Sequence, residues 1–425
     1  MIDLRPNRRR FAAAALGLAG LAALPSPLRA AASDTGIDTS GLAPITSGLK
    51  PIDAAERAAR IARAQALMAK AGMAAIVVEP GSSLDYFTGI KWWRSERVTA
   101  AIIPASGQPV IVTPFFEEPS IRQSLGVPAD VRVWQEDEDP LALVAEALRQ
   151  AGGATSAIGI EETVRFFISD GLARRLPQAR IASANPVVRA CRMVKTATEI
   201  ALMQAASDVT LAAQRWAWQR IRAGMTPVDI AALIDAATAA LGGKASDGLV
   251  LLGEASAYPH GSAKPQAVRE GEVVLIDCGC SVGGYASDIS RSFVFGRVPD
   301  DVRLVWDIVA EGQQRALAAA QLGTPAGAVD DAVRAFYESK GFGPRYQLPG
   351  LSHRTGHGIG MDGHEPVNLV HNEATPLAPG MCFSNEPGLY LPGRFGIRLE
   401  DCFHMTDAGP QWFSTPPRSI DAPFG

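Results

Sequence analysis

The sequence predicts an α+β protein in which a smaller α/β domain precedes a larger domain built of long helices and β-hairpins. Three observations carry this. Strand-like apolar runs alternate with helical spacing up to about residue 188. Beyond it, a long helix, a Gly and Thr-Pro break, a second helix and a β-rich stretch occur twice. The chain has 425 residues, which favours two domains over one.

Composition narrows the function classes. Hydrophobic residues make up 47% and charged residues 20%, as in a globular chain rather than a disordered one. The net charge of −4 argues against a nucleic-acid binder. No apolar run reaches the ~18 residues that a membrane span requires. Six histidines occur, and His353, His357 and His364 lie close together.

Residues 1–32 read as an export signal. Arg8, Arg9 and Arg10 precede Phe11, an apolar stretch runs to Leu24, and Ala30-Ala31-Ala32 offers small residues for cleavage. The arginines resemble a twin-arginine signal, which predicts a periplasmic protein with no membrane span once the signal is removed. Residues 33–50, rich in Ser, Thr, Gly and Pro, read as a flexible leader.

The first domain is expected over 51–188. Asp53 to Ala71 has helical spacing and stops at Gly72. Ala75 to Val78 reads as a buried strand. Val98 to Ile103 and Pro109 to Thr113 read as strands joined at Ser106-Gly107. A helix is expected over Leu141 to Ala151, then a strand over Ala157 to Ile160.

The second domain is expected over 189–425. Thr196 and Glu199 form a capping box that opens a helix to about Ala223. Thr226-Pro227 opens the next helix, which ends at Gly242-Gly243. Strands are expected over Glu272 to Cys278 and Tyr285 to Phe295. The pattern recurs with helices from Asp301 to Leu322 and from Thr324-Pro325 to Lys340, then a β-rich stretch from about Gly380 to Met405. This reads as an internal duplication. Cys191, Cys278, Cys280, Cys382 and Cys402 are odd in number and lack zinc-ribbon spacing, so buried free thiols are expected.

The chemistry lies in the two hairpins. Asp277 ends a run of apolar residues, where a carboxylate is costly unless compensated. Asp288 lies on the opposite arm, and pairing brings the two together. Glu386 and Glu400 repeat this arrangement in the second hairpin. Between the hairpins lies Gly356-His357-Gly358-Ile359-Gly360, whose glycines permit close backbone approach. Four carboxylates and one histidine suit two hard divalent ions. Such a pair can activate water and stabilise an attacked carbonyl.

These residues carry a family resemblance. The chain from about 190 to 415 resembles the pita-bread metallopeptidases, which include methionine aminopeptidase, aminopeptidase P, prolidase and creatinase. Residues 53–188 resemble the creatinase-type N-terminal domain of the last three. The motifs are the Asp277/Asp288 hairpin, Gly356 to Gly360, Asn385-Glu386-Pro387-Gly388 and Arg398-Leu399-Glu400-Asp401.

The resemblance implies a pita-bread catalytic domain and metal ligands Asp277, Asp288, His357, Glu386 and Glu400. It implies catalytic or substrate-binding roles for His260, His353, His364 and Arg398, with Glu386 doubling as general base. The implied cofactor is a pair of divalent ions, manganese first, with zinc, cobalt or iron(II) also admitted. The implied reaction is hydrolysis of the Xaa-Pro bond at the N-terminus of dipeptides or short peptides, by a homodimer or homotetramer. Alternatives are an aminopeptidase P acting on longer peptides, a small-molecule lyase or hydrolase, or a non-catalytic binding protein. His371 and His404 match nothing in the family. Two features bear on substrate preference: Val367 follows His364-Glu365-Pro366 where a second proline is frequent, and Lys91-Trp92-Trp93-Arg94 could border a neighbouring subunit's site.

Overall fold

The computed structural model describes residues 36–246 and 248–424. The expected export signal lies outside the described residues. No helix among them is long and apolar enough to cross a membrane.

The first half is a six-stranded mixed sheet flanked by helices. Its order is Asp130–Trp134, Val110–Pro114, Ala100–Pro104, Met73–Val78, Ala157–Ile160, Arg180–Ser183. Met73–Val78 runs antiparallel to Ala100–Pro104 and parallel to Ala157–Ile160. Its residues alternate between two apolar layers. Ala75 and Val77 join Val144, Leu148 and Leu172. Ile76 joins Ile61, Met68 and Val187 on the other face. The helix Ala54–Ala71 starts at the Asp53 cap and stops at Gly72, where φ is 63°. The helix Asn185–Arg192 crosses the expected boundary at 188 and packs with this half through Val187, Val188 and Cys191.

The second half pairs helix Ala197–Trp218 with Pro227–Leu241, and Asp300–Ala319 with Ala326–Ser339. The first two start at capping boxes, Thr196 with Glu199 and Thr226 with Asp229. Both long helices end earlier than their spacing predicts, at Trp218 rather than Ala223 and at Ala319 rather than Leu322. The reason is the same in each half. Gly224 N–H donates to the Val268 carbonyl and Val268 N–H to that of Met225. Likewise Gly323 N–H donates to the Leu377 carbonyl and Leu377 N–H to that of Thr324. These exchanges pull the chain out of the helix, and their recurrence supports the internal duplication.

The hairpin expected over 272–295 is Val273–Cys278 paired with Ile289–Val294, with Leu249–Leu252 as a third strand. The tip of this hairpin forms a separate small sheet from Cys280–Val282, Tyr285–Ala286 and Lys244–Ala245. The second β-rich stretch contributes Cys382–Asn385 and Asp401–Thr406 to a five-stranded sheet that includes Gly356–Gly358. A two-stranded ribbon, Gly388–Leu391 with Phe395–Arg398, rises beside it. One apolar core, including Leu275, Val309, Val333, Phe383, Ile397 and Phe403, underlies both halves of this region. The five cysteines are free and buried, as expected.

Candidate metal centre

Sheet register positions the four carboxylates. Cys278 pairs with Ile289, and Asp277 and Asp288 flank that pair. Asn385 pairs with Asp401, and Glu386 and Glu400 come next on the same side of that pair, facing one another. A bridge between Ser290 and Glu400 then joins the two hairpins. His357 comes from the strand Gly356–Gly358, which pairs with Cys382–Asn385 on one side and Glu365–Leu369 on the other. The glycines serve this packing. A Cβ on Gly356 would lie 2.2 Å from the Ser384 carbonyl oxygen, and one on Gly358 2.6 Å from that of Glu365.

The five residues expected to bind metal converge. Potential ligand atoms of Asp277, Asp288 and Glu400 lie within 4.8 Å of one another, as do those of His357, Glu386 and Glu400. His364 joins a third such group with Asp288 and His357. His357 Nε2 lies 3.4 Å from Glu386 and 3.9 Å from Asp288. Its Nδ1 lies 3.0 Å from the Gly358 carbonyl, which can only accept, so Nδ1 carries the proton and Nε2 offers its lone pair.

Electrostatics disfavour this cluster without cations. Burial, then Asp277 and Glu386, push the Asp288 carboxyl well above its usual range. Burial, then Asp288 and Glu386, do the same to Glu400. Glu386 is pushed up to about 7, chiefly by burial. Burial and the neighbouring His364 push His357 down to about 3, so its ring is neutral. Glu400 Oε1 is buried with no hydrogen-bond partner. Four carboxylates, one of them with an orphaned oxygen, and one neutral imidazole are the donor set that two hard divalent ions satisfy.

Arg398 is buried and held on all sides. It donates to Asp277 Oδ2 at 2.6 Å, Tyr390 Oη at 2.9 Å, Ser290 Oγ at 3.2 Å and the Pro259 carbonyl at 3.3 Å. Tyr390 Oη also lies 2.8 Å from His353 Nε2, and His353 Nδ1 lies 2.7 Å from the Arg354 carbonyl. That carbonyl requires a proton on Nδ1, so Tyr390 donates to His353 Nε2 and accepts from Arg398. Both His353 nitrogens are thus engaged by protein, and burial pushes the ring down to about 3.

The carboxylates, His260, His353, His357, His364 and Arg398 line one cavity of about 1020 Å³. His260 and His364 are exposed on its wall, and the His364 ring stands edge-on to His357 at 4.1 Å. His371 pairs with Asp331 at the surface, and His404 packs against Phe413, outside the site. Trp92 stacks on Trp93 at 4.8 Å, and Trp93 is exposed. Both line a second cavity of about 740 Å³ that shares Lys244, Ser281 and Met361 with the first.

Sequence reasoning missed Ser290 and Tyr390. Ser290 had a signal, because it lies two residues beyond Asp288 and shares its strand face. Tyr390 had none, since its role depends on the ribbon pairing that sets it beside Arg398.

Residues 60–194 match the Creatinase/Prolidase N-terminal domain and residues 201–407 match Metallopeptidase family M24. A probable dipeptidase PepE of Mycobacterium tuberculosis is 35% identical over 84% of this chain and 94% of its own length. The chain belongs to metallopeptidase family M24. Another relative, an Xaa-Pro dipeptidase of Lactobacillus helveticus, is 31% identical over 78% of this chain and 90% of its own. Among solved structures, dipeptidase PepE from Mycobacterium ulcerans superposes with a TM-score of 0.79 at 33% identity. It covers 87% of this chain and 98% of that one. Prolidase from Thermococcus sibiricus gives 0.77 at 28% identity, over 84% and 96%. The pita-bread fold and creatinase-type N-terminal domain are therefore those of an M24 metallopeptidase.

Proposed function

We propose that this M24 chain is a dinuclear-metal dipeptidase that hydrolyses the Xaa-Pro bond of dipeptides. The carrying observation is the convergence of Asp277, Asp288, His357, Glu386 and Glu400 on one cavity. The relatives named Xaa-Pro dipeptidase support the substrate class.

Asp277, Asp288, His357, Glu386 and Glu400 would hold the two ions. Bound there, the ions supply an activated water and polarise the scissile carbonyl. Glu386 accepts the attacking water's proton and returns it to the departing proline nitrogen. His260 and His364, exposed on the cavity wall, donate to the developing oxyanion. Arg398 holds Asp277 in its ligand orientation, and Tyr390 and His353 hold Arg398 in turn. We assign manganese first on family resemblance; the oxygen-rich donor set also accepts zinc, cobalt and iron(II).

One observation favours a second reading, an aminopeptidase acting on longer peptides. The second cavity adjoins the first across Lys244, Ser281 and Met361 and gives room for residues beyond proline. We further assign a homodimer or homotetramer from family resemblance, and a periplasmic location from the N-terminal arginines and apolar stretch. Cell fractionation that finds the uncleaved chain in the cytoplasm overturns the location.

The test is hydrolysis of Ala-Pro against Ala-Pro-Ala by metal-loaded protein. Preferential Ala-Pro cleavage is expected. Preferential Ala-Pro-Ala cleavage selects the aminopeptidase, and cleavage of neither overturns both readings.

A further inference from the structure

We propose that Arg192, from the N-terminal domain, is a positioning residue that sets the place of His364 in the catalytic cavity; this rests on the assignment of His364 to the developing oxyanion in the Xaa-Pro dipeptidase reading.

His364 depends on such support. Its ring stands edge-on to His357 at 4.1 Å but makes no hydrogen bond to the described residues. It lines the catalytic cavity and also a small cavity of about 210 Å³, which Arg192, Asp362 and Glu365 share. With open space on both sides, the ring takes its position from its own backbone. That backbone is the loop between the strands Gly356–Gly358 and Glu365–Leu369.

The loop is wrapped around one carboxylate oxygen. Glu365 Oε1 accepts from the Met361 N–H at 3.0 Å and from the Asp362 N–H at 3.2 Å. The shape of the turn therefore follows the place of that oxygen. Gly360 leaves it room, since a Cβ there would lie 2.7 Å from Glu365 Oε1. The Gly360 carbonyl accepts from the Ala286 N–H at 2.7 Å, which fixes the start of the loop.

Arg192 fixes the oxygen itself. It is the last residue of the helix Asn185–Arg192. Nη2 donates to Glu365 Oε1 at 2.6 Å and to Asp362 Oδ2 at 2.7 Å, and Nη1 donates to Ser83 Oγ at 3.1 Å. Ser82 adds a bond to Asp362 Oδ1. One guanidinium thus ties two carboxylates of the loop to the helix Ser82–Thr88 of the N-terminal domain. Lys195 takes the other oxygen, Glu365 Oε2, at 3.0 Å, and reaches no other carboxylate of the loop. Arg192 alone spans both, as a planar guanidinium with several fixed donors can. The contacts run from Arg192 through Glu365 and Asp362 to the backbone that carries His364. An oxyanion donor works only within hydrogen-bond reach of the developing charge, and a displacement of about 1 Å can cost about 100-fold in rate.

The experiment measures Ala-Pro kinetics, metal content and thermal melting on metal-loaded wild type, Arg192→Met, Asp362→Ala, His364→Ala, and each tether variant combined with His364→Ala. Arg192→Met should lower kcat and kcat/KM equally, by about 10- to 100-fold, with metal content unchanged. Asp362 is exposed, so Asp362→Ala tests the same tether if Arg192→Met fails to fold, and a smaller loss is expected. The deciding readout is the His364→Ala background, where neither tether substitution should lower kcat further. An equal further loss in that background shows a role that does not act through His364 and overturns the proposal. Wild-type kcat in Arg192→Met, or in Asp362→Ala where Arg192→Met does not fold, overturns it as well. Wild-type kcat in His364→Ala overturns the role of His364 and the proposal with it, and leaves the reaction standing. A metal-loaded wild type inert to Ala-Pro overturns the reaction, and the proposal with it.

Discussion

Ser290 and Glu400 join the two hairpins of the metal centre. Glu400 N–H donates to the Ser290 carbonyl at 3.1 Å, and Ser290 N–H donates back at 3.3 Å. The Ser290 hydroxyl also donates to Glu400 Oε2 at 2.7 Å. One serine therefore sets both the spacing of the hairpins and the orientation of a proposed ligand. Beneath it, Arg291 and Asp401 form a fully buried, two-bond pair between the same strands.

Ser290→Ala keeps the backbone bridge and removes the hydroxyl. Partners of this kind around a metal ligand typically matter about 10- to 100-fold in affinity or activity. Metal titration and Ala-Pro turnover should both weaken by that order. A variant unchanged in both would show that the hydroxyl does not orient Glu400.

Much of this centre was legible in the sequence. Asp277 follows an apolar strand, and Glu386 and Glu400 lie in the second β-rich stretch that repeats the first, so hairpin pairing alone brings the carboxylates together. Helix starts were legible for the same local reason: Thr196 with Glu199 and Thr226 with Pro227 satisfy their own first turns. What was not legible depends on distant chain. The long helices stop early because Val268 and Leu377 capture the residues after them. Tyr390 reaches His353 and Arg398 only because Gly388–Leu391 pairs with Phe395–Arg398 in a ribbon. The glycines around His357 pointed to close approach, and the approaching groups are neighbouring strand carbonyls.

Tyr390→Phe removes one oxygen that serves two partners. Arg398 loses an acceptor and His353 Nε2 loses a donor, both in buried surroundings. The expected stability loss is about 1–3 kcal/mol. Arg398 then holds Asp277 less firmly, so kcat should fall about tenfold with metal content retained. Urea denaturation and steady-state kinetics check the two parts separately.

Glu365 gives a pH-dependent prediction. Burial alone would raise its carboxyl, but Lys195 Nζ at 3.0 Å and Arg192 Nη2 at 2.6 Å hold it down to about 2. Because folding lowers this value from 4.5, the pair's stabilisation is full above that pH and is lost as pH falls toward about 2. Glu365→Gln leaves Lys195 buried without its counter-charge and should cost about 3–5 kcal/mol near neutrality. The gap between wild type and variant should narrow on acidification. Denaturation midpoints that keep a constant gap down to about pH 2 would contradict the ion-pair account.

The most direct test of the two-metal account is elemental analysis paired with Ala-Pro turnover, on wild type and Asp288→Ala. Wild type should hold two divalent ions per chain and lose turnover to a chelator. Asp288→Ala should lose both tight metal binding and turnover. Full turnover in that variant would contradict the account.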